Sequence, residues 1–512
     1  MKRFKIAIGV LITAISISSC SGFLDETPDN RTKIDTVEKV GEAITLAYPD
    51  ATYATFADLS SDNAYDSQRI LREDVTNTET FFWDNIRDEG SDTPTFYWNA
   101  AYKAIAQANA AIEQGEKMLV DLQEKGKLKE VRDLQGILGE AYIARAYSHF
   151  TLVNLFAKAY NPATAASEMG IPYVTEVETV LIKEYDRGTV ESTYNAIEED
   201  LLKGLAWIKL RVVEPKFRRY HFNEASGHAF AARFYNYKGD FKESLKYSAI
   251  PVDGSTLRDQ IGTLSLDSEI VAVRYPSADE PANLLIGTVM SRAGRNAGGR
   301  YSFTATVANK SGSGLYSNST NPFGKEWAFT TLSYTASDML YIPKFGETFK
   351  VTDPTNQIGI PYTNMTLFTT DMVYLDRIEA LINENDLASA LDMLNVFTRK
   401  RTQEVSGRDV LTEQHILDVT QDGKAQSKID PFYVANLSQT QIHYLEYLSD
   451  LRRRDSYLDG TRFFDVRRYG MPVTHAATMG DKRTETLEKD DNRTVFQIPV
   501  MAIQKGITPN PR

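Results

Sequence analysis

Apolar side chains recur at steps of three and four along much of this chain, the spacing that gathers them on one face of an α-helix. In NAAYKAIAQANAAIEQG, Tyr102, Ile105, Asn109 and Ile112 share a face. In GEAYIARAYSHFTLVNLFAKAY, Leu138, Ala141, Tyr142, Arg145, His149, Leu152 and Phe156 do the same, and the small Ala141 and Ala144 leave room for a neighbouring helix. That helix is expected to stop near Asn161-Pro162, because the residue before a proline avoids the α region. A third helix is predicted through TVESTYNAIEEDLLKGLAWI, capped by Thr189, with Tyr194, Ile197, Leu201, Leu205 and Ile208 as its stripe.

Two segments predict paired helices. In EASGHAFAARFYNYKGDFKESLKYS, Gly239 closes one helix and Asp240 caps the next. In VYLDRIEALINENDLASALDMLNVFTRKR the turn falls at Asn385-Asp386, and Leu387, Leu391 and Leu394 line the second helix. Both pairs resemble the tetratricopeptide unit, in which small residues of one helix receive large ones of the other. They are not tandem at a fixed period. The fold class expected is therefore mainly α: tetratricopeptide-like helix pairs forming a scaffold, with an irregular loop-rich lobe containing a few short strands. That lobe is residues 251–370, where the helical period fades. SEIVAVRYP and ANLLIGTVM read as short strands, and SRAGRNAGGRYS and NKSGSGLYSNSTNPFGKEW as long loops.

The N-terminus has a different pattern. Lys2, Arg3 and Lys5 precede an apolar or small run from Ile6 to Ser19, and polarity returns at Asp25 and Glu26. This is the layout of a secretory signal, too short for the roughly 20 apolar residues that span a bilayer. Ile17-Ser18-Ser19 before Cys20 resembles the bacterial lipobox, so Cys20 is expected to be lipidated after removal of residues 1–19. Cys20 is the only cysteine, which excludes an internal disulfide and a cysteine-based zinc site. The formal net charge of −12 argues against nucleic acid as a partner. After the signal peptide (1–19), the expected division is a helical region at 20–250, the loop-rich insertion at 251–370 and a second helical region at 371–512. More than one core is expected for this length.

A set of motifs in fixed order carries a family resemblance. It comprises CSGFLDETP, WNAAYKAIAQAN, AYIARAYSHFTLVNLFAKAYNP with GIPYVTE, RGTVESTYNAIEEDL, the two helix pairs, SDLRRRDSYLDGTRFFDVRRYGM, and VFQIPVMAI. From about residue 20 to the C-terminus the chain resembles the SusD/RagB outer-membrane lipoproteins of Bacteroidetes. It departs from them at Asp459, where glutamate is usual, and at Ile378-Glu379-Ala380, where Ala-Glu-Ala is usual. The resemblance implies a lipid-anchored surface protein on the outer membrane. Such a protein binds oligosaccharides and passes them to a SusC-like TonB-dependent transporter, without enzymatic activity. Peptide capture in the RagB manner is an alternative with the same partner. A surface-anchored glycan hydrolase and a purely structural adaptor are rivals of another kind.

No motif for bond-breaking chemistry is evident. A hydrolase would need two carboxyls facing across one cleft, and pairs such as Glu198-Glu199-Asp200 and Asp490-Asp491 read as solvated faces. The histidines show no metal-ligand spacing, and His221 and His228 read as packed or surface groups. No cofactor is implied, and a structural calcium is left open. Arg452, Arg453, Arg454, Arg462, Arg467 and Arg468, interleaved with Asp455, Asp459 and Asp465, read as ion pairs over a packed Phe463-Phe464. Sugar rings offer apolar C–H faces to flat aromatic rings, so ligand contacts are sought among Trp83, Trp98, Trp327, Tyr301 and Tyr316, with Asn318, Asp62 and Asn63 as polar neighbours. Trp207 is expected to be partly buried.

Overall fold

The computed structural model describes residues 34–512, apart from 69–73, 179–183, 250–253, 265, 294–299, 303–313, 329–331, 335–338, 342–343, 422–423, 425–426, 435 and 481. Cys20 and the signal segment lie outside the described residues. The N-terminal part contains α1 (Val37–Ile44), α2 (Ala54–Leu59), β1 (Tyr65–Asp66), α3 (Val75–Phe81), α4 (Pro94–Glu124), α5 (Leu128–Phe156), α6 (Val190–Ile208), α7 (Glu224–Lys238) and α8 (Phe241–Tyr247). The middle contains α9 (Gln260–Leu264), α10 (Ser268–Arg274), β2 (Asn283–Met290), β3 (Tyr301–Ser302), β4 (Leu332–Tyr334), β5 (Met339–Tyr341), β6 (Glu347–Asp353) and β7 (Ile358–Thr369). The remainder contains α11 (Thr370–Asn383), α12 (Leu387–Lys400), α13 (Glu413–Thr420), α14 (Gln439–Asp455), α15 (Thr461–Arg468), β8 (Val473–Ala476), β9 (Thr484–Leu487) and α16 (Val500–Gln504). The protein is mainly α, with short strands in small antiparallel sheets, as the periodicity predicts.

The centre of the scaffold is α5. From Gly136 to Phe156 all of its residues are buried, because α4 covers one side and α6 the other. Helices approach this closely only where side chains are missing. A Cβ on Gly139 would lie 2.8 Å from the backbone nitrogen of Ile208, and one on Gly204 would lie 2.8 Å from the carbonyl oxygen of Gly139. The α4 helix starts on Thr93, whose hydroxyl accepts from the Phe96 amide, with Pro94 in the first turn. Thr189 caps α6 in a reciprocal box with Ser192. The α7–α8 and α11–α12 pairs turn where predicted, with Gly239 left-handed at φ 81° and Asn385 at φ 62°.

One boundary and one element type differ from the sequence reading. The α5 helix ends at Phe156, before Asn161-Pro162. Its last carbonyls are taken by tertiary donors: Arg467 donates to Asn154 and Ala157, Arg187 to Phe156, and the Phe496 amide to Leu155. Cations there also oppose the negative end of the helix dipole. SEIVAVRYP is the helix α10 and not a strand, because the Asp267 carboxylate caps the Glu269 amide and nucleates the turn. ANLLIGTVM does form β2. It pairs with β7, which also carries β6, giving the order β2-β7-β6 with Gly287 opposite Met365 and Phe349 opposite Pro361. Apolar burial falls into two clusters, one around α4–α7 and one around α11, α12 and α14.

Candidate functional site

The β2–β7 pair and the N-terminal segment between α1 and α2 enclose an open cleft of about 360 Å³, within the range of small-molecule sites. One wall is Leu46, Tyr48 and Asp50, from the turn around Pro49. Thr288 of β2 and Tyr362 of β7 also line the cleft, and the Met290 amide at the end of β2 donates to the Asp50 carbonyl at 2.8 Å. Tyr97 and Lys103 reach it from α4, Tyr220 and His221 close one end, and Asp459 and Thr461 come from the α14–α15 turn. The floor is aromatic and closed: Tyr53 meets Tyr97 edge-on at 5.6 Å, and the Tyr97 hydroxyl donates to Thr151. Tyr48, Tyr220 and Tyr362 are half-buried, so part of each remains accessible.

Below one wall lies a buried carboxylate, Glu140 of α5. It accepts from the Tyr48 hydroxyl at 2.7 Å and faces His221 Nδ1 at 2.7 Å and Arg211 Nε at 2.5 Å. Burial alone would raise its pKa, but His221, Arg211 and Tyr48 outweigh it and hold the carboxyl below its ordinary range. The Tyr48 hydroxyl also accepts from the Phe222 amide at 2.7 Å. Tyr48 and His221 are thereby fixed from behind, with their orientation set before any ligand arrives. At the mouth, Lys103 pairs with Asp50 at 3.3 Å, an exposed contact that a ligand hydroxyl can replace. The cleft thus combines ring faces, hydroxyls and a few charged groups, the composition that suits a polyhydroxylated ligand.

The residues proposed from sequence are mostly elsewhere. Trp83, Tyr301 and the unanticipated His475 belong to one stack: Trp83 on His475 at 4.4 Å, His475 on Phe81 at 4.0 Å, and Phe81 on Tyr301 at 4.4 Å. Trp83 also donates from Nε1 to the Ser60 carbonyl at 2.9 Å. Trp98 packs between Tyr102 and Phe156. Trp327 lies under the Arg454 guanidinium and donates to Thr320, while the Tyr316 hydroxyl donates to the Arg454 carbonyl. All five rings are at most 5% exposed, so the expectation of open stacking faces is corrected: their faces are covered by other side chains. Asp62 and Asn63 are also taken up within the fold, Asp62 by Arg462 and Arg453, and Asn63 by Arg453 at 2.8 Å. Asn318 is exposed, in a short turn at Asn318–Thr320.

The arginine-rich segment is a helix–turn–helix whose ion pairs lock neighbouring helices, as its alternating charge suggests. Arg468 engages Glu379 through two bonds of 2.5 and 2.7 Å, and Arg452 adds a third at 3.0 Å. Arg401 bridges Asp371 and Asp455. One further correction concerns Glu198-Glu199-Asp200. Asp200 is buried and holds Arg145 of α5 through two bonds, so that triplet is not wholly a solvated face. Trp207 is half-buried, as expected.

Among the described residues there is no group of three or more candidate metal ligands, and no helix is long and apolar enough to cross a membrane. The cleft residues Tyr48, Tyr220 and Tyr362 were not separable in sequence from the chain's 27 tyrosines, nor His221 from its 6 histidines. A usable signal is the Tyr48-Pro49-Asp50 turn, which presents a ring beside a carboxylate directly after a capped helix.

With the helical scaffold and the cleft defined, the class follows: the chain has the SusD-like fold. Residues 22–236 match a SusD-like family described as starch-binding, associating with outer membrane. The chain is similar over 94% of its length, at 17% identity and TM-score 0.65, to 99% of a Bacteroides vulgatus protein named for sugar binding. It is similar over 93%, at 17% identity and TM-score 0.58, to the whole of a SusD superfamily protein from Bacteroides thetaiotaomicron. A laminarin-binding SusD-like protein aligns over 93% of this chain and 98% of its own, at 15% identity and TM-score 0.56. No curated protein sequence matches. These identities establish a shared fold, and the resemblance read from the sequence to SusD-like proteins holds.

Proposed function

We propose that this protein captures oligosaccharides at the cell surface, in the cleft between β2–β7 and the Tyr48–Asp50 turn, and passes them to a SusC-like TonB-dependent transporter. The cleft's half-buried tyrosines beside Asp50, Lys103 and His221 carry the reading, since that pairing of ring faces with fixed polar groups matches a sugar's alternation of C–H faces and hydroxyls. The match of residues 22–236 to a starch-binding, outer-membrane-associated family supports the same reading, as do structural relatives named for binding sugar and laminarin. In this reading lipidated Cys20 tethers the chain to the outer membrane, no bond in the ligand is broken, and no cofactor is required. Capture and handover are the whole mechanism.

The test is calorimetry on the chain from residue 21 onward, which keeps every described residue, against neutral oligosaccharides and a peptide pool, with product analysis on the same mixtures. Saturable binding of one glycan, weakened about tenfold or more by Tyr362→Ala through loss of a stacking face, supports the reading. Binding of peptides alone moves the ligand to the RagB type, and new products refute capture without catalysis. Co-purification of the full-length chain with a TonB-dependent barrel from outer membranes tests the partner.

A further inference from the structure

A second cleft, of about 250 Å³, lies on the far side of the α5 C-terminus. It is lined by Lys158 and Thr164 after α5, by Arg467 of α15, and by Lys489 and Asn492 beyond β9. Its volume falls just below the about 300 Å³ at which sites for drug-sized ligands begin, so it fits one small group and not a chain. Its charge is unusual in a protein of net charge −12. Three cations line it, against Glu168 and Asp490. Lys489 has its own partner in Asp430 at 2.6 Å. Among the described residues, neither Lys158 nor Arg467 has a carboxylate within ion-pair distance.

Arg467 is 4% exposed. Two of its nitrogens donate to the Asn154 and Ala157 carbonyls, while its Nε is buried without a hydrogen-bond partner among the described residues. Capping α5 accounts for two of its donors and leaves its charge without a counter-ion, although buried charges are ordinarily paired. Lys158 gives its ammonium to the backbone carbonyls of Asp490 and Asp491, at 3.2 and 2.8 Å. Burial, then repulsion from Arg467, holds its pKa below the usual lysine value. Burial pushes Arg467 down to about 10. A buried arginine and a half-buried lysine that repel each other beside a small polar cleft are stabilised by an anion between them.

We propose that this cleft binds a single oxyanion, the carboxylate or sulfate of a small acid or of one acidic sugar residue, with Lys158 and Arg467 as its cationic partners. Thr164 and Asn492 stand beside them for a neighbouring hydroxyl. The site is separate from the tyrosine-lined cleft, and its occupancy does not depend on what that cleft binds.

Calorimetry on the chain from residue 21 onward tests it with sodium sulfate, phosphate, glucuronate and glucose at matched ionic strength. Saturable binding of glucuronate or sulfate, none of glucose, and a loss of about tenfold in Lys158→Gln, the effect of one charge-assisted hydrogen bond, are expected. Lys158→Arg should restore most of the affinity. Glucuronate bound more tightly than sulfate and phosphate assigns the site to an acidic sugar, and the reverse to a free anion. Lys489→Gln, which leaves the α5 cap intact, carries the same expectation at smaller amplitude and serves if Lys158→Gln does not fold. No binding of any anion, or binding unchanged in both variants, overturns the proposal. Retained neutral-glycan binding in those variants separates its outcome from that of the main cleft.

Discussion

Replacing Glu379 by glutamine removes the acceptor on which two buried arginines converge. Glu379 is fully buried on α11 and takes four contacts: two from Arg468, one from Arg452 and one from the Tyr433 hydroxyl at 3.0 Å. Burial alone would raise its pKa, but Arg468 and Arg452 outweigh it and bring the carboxyl from the usual 4.5 to about 2. At ~1.4 kcal/mol per pKa unit, that depression corresponds to about 3 kcal/mol of stability at neutral pH. An independent expectation gives a similar size, since removing one partner of a buried ion pair costs ~3–5 kcal/mol. The lower end applies here, because Arg452 retains Asp376 at 3.0 Å and Arg468 retains Asp465 at 2.9 Å. A lowered folded pKa gives a contribution that is full above the unfolded value and fades as pH falls through about 2. Urea unfolding of wild type and Glu379→Gln should therefore differ by about 3 kcal/mol at pH ~7, and by much less at pH ~3. A difference below ~1 kcal/mol at neutral pH, or a gap independent of pH, would refute the reasoning.

Asp58 has the opposite sign. Burial and the nearby Asp459 push its carboxyl up to about 7, and one oxygen has no hydrogen-bond partner among the described residues. A raised folded pKa leaves stability intact below the unfolded value and removes it as pH rises through about 7, so Asp58→Asn should stabilise by ~4 kcal/mol at pH ~8 and little at pH ~4 in urea titrations. Trp83→Ala should destabilise by ~3–5 kcal/mol, because the ring is sandwiched against His475, while any remaining folded protein binds glycan as wild type does. Gly204→Ala should cost ~1–3 kcal/mol in the same assay, since its new methyl would lie 2.6 Å from Ile143 and 2.8 Å from the Gly139 carbonyl.

The helices were legible because their signals are local. Thr189, Gly239 and Asp386 each act on amides or carbonyls within a few residues, and the stripe of α6 needs only the 3.6 period. Boundaries failed where a distant residue supplied the decisive bond. Nothing near Phe156 announces that Arg187, 31 residues on, and Arg467, far beyond it in sequence, will take its last carbonyls. The β6–β7 hairpin and its pairing with β2 were visible only as a loss of helical period, since register between remote strands depends on tertiary packing.

The site was less legible for a related reason. A tryptophan in a polar, turn-rich stretch can be a stacking platform or a packed ring, and only its neighbours decide. In FFWDN the neighbours arrive from β8, whose His475 covers one face of Trp83 and also lies on Phe81. In FGKEW, Arg454 of α14 covers Trp327. Both rings are thereby consumed by the core. Tyrosine differs because its hydroxyl can anchor one end while part of the ring stays open. Tyr48 does this, held by Glu140 and the Phe222 amide at one edge of the cleft. Glu140 is the feature to look for: a carboxylate in the fully buried half of a helix marks a polar group reaching in from outside. In this fold that group is the wall of the cleft.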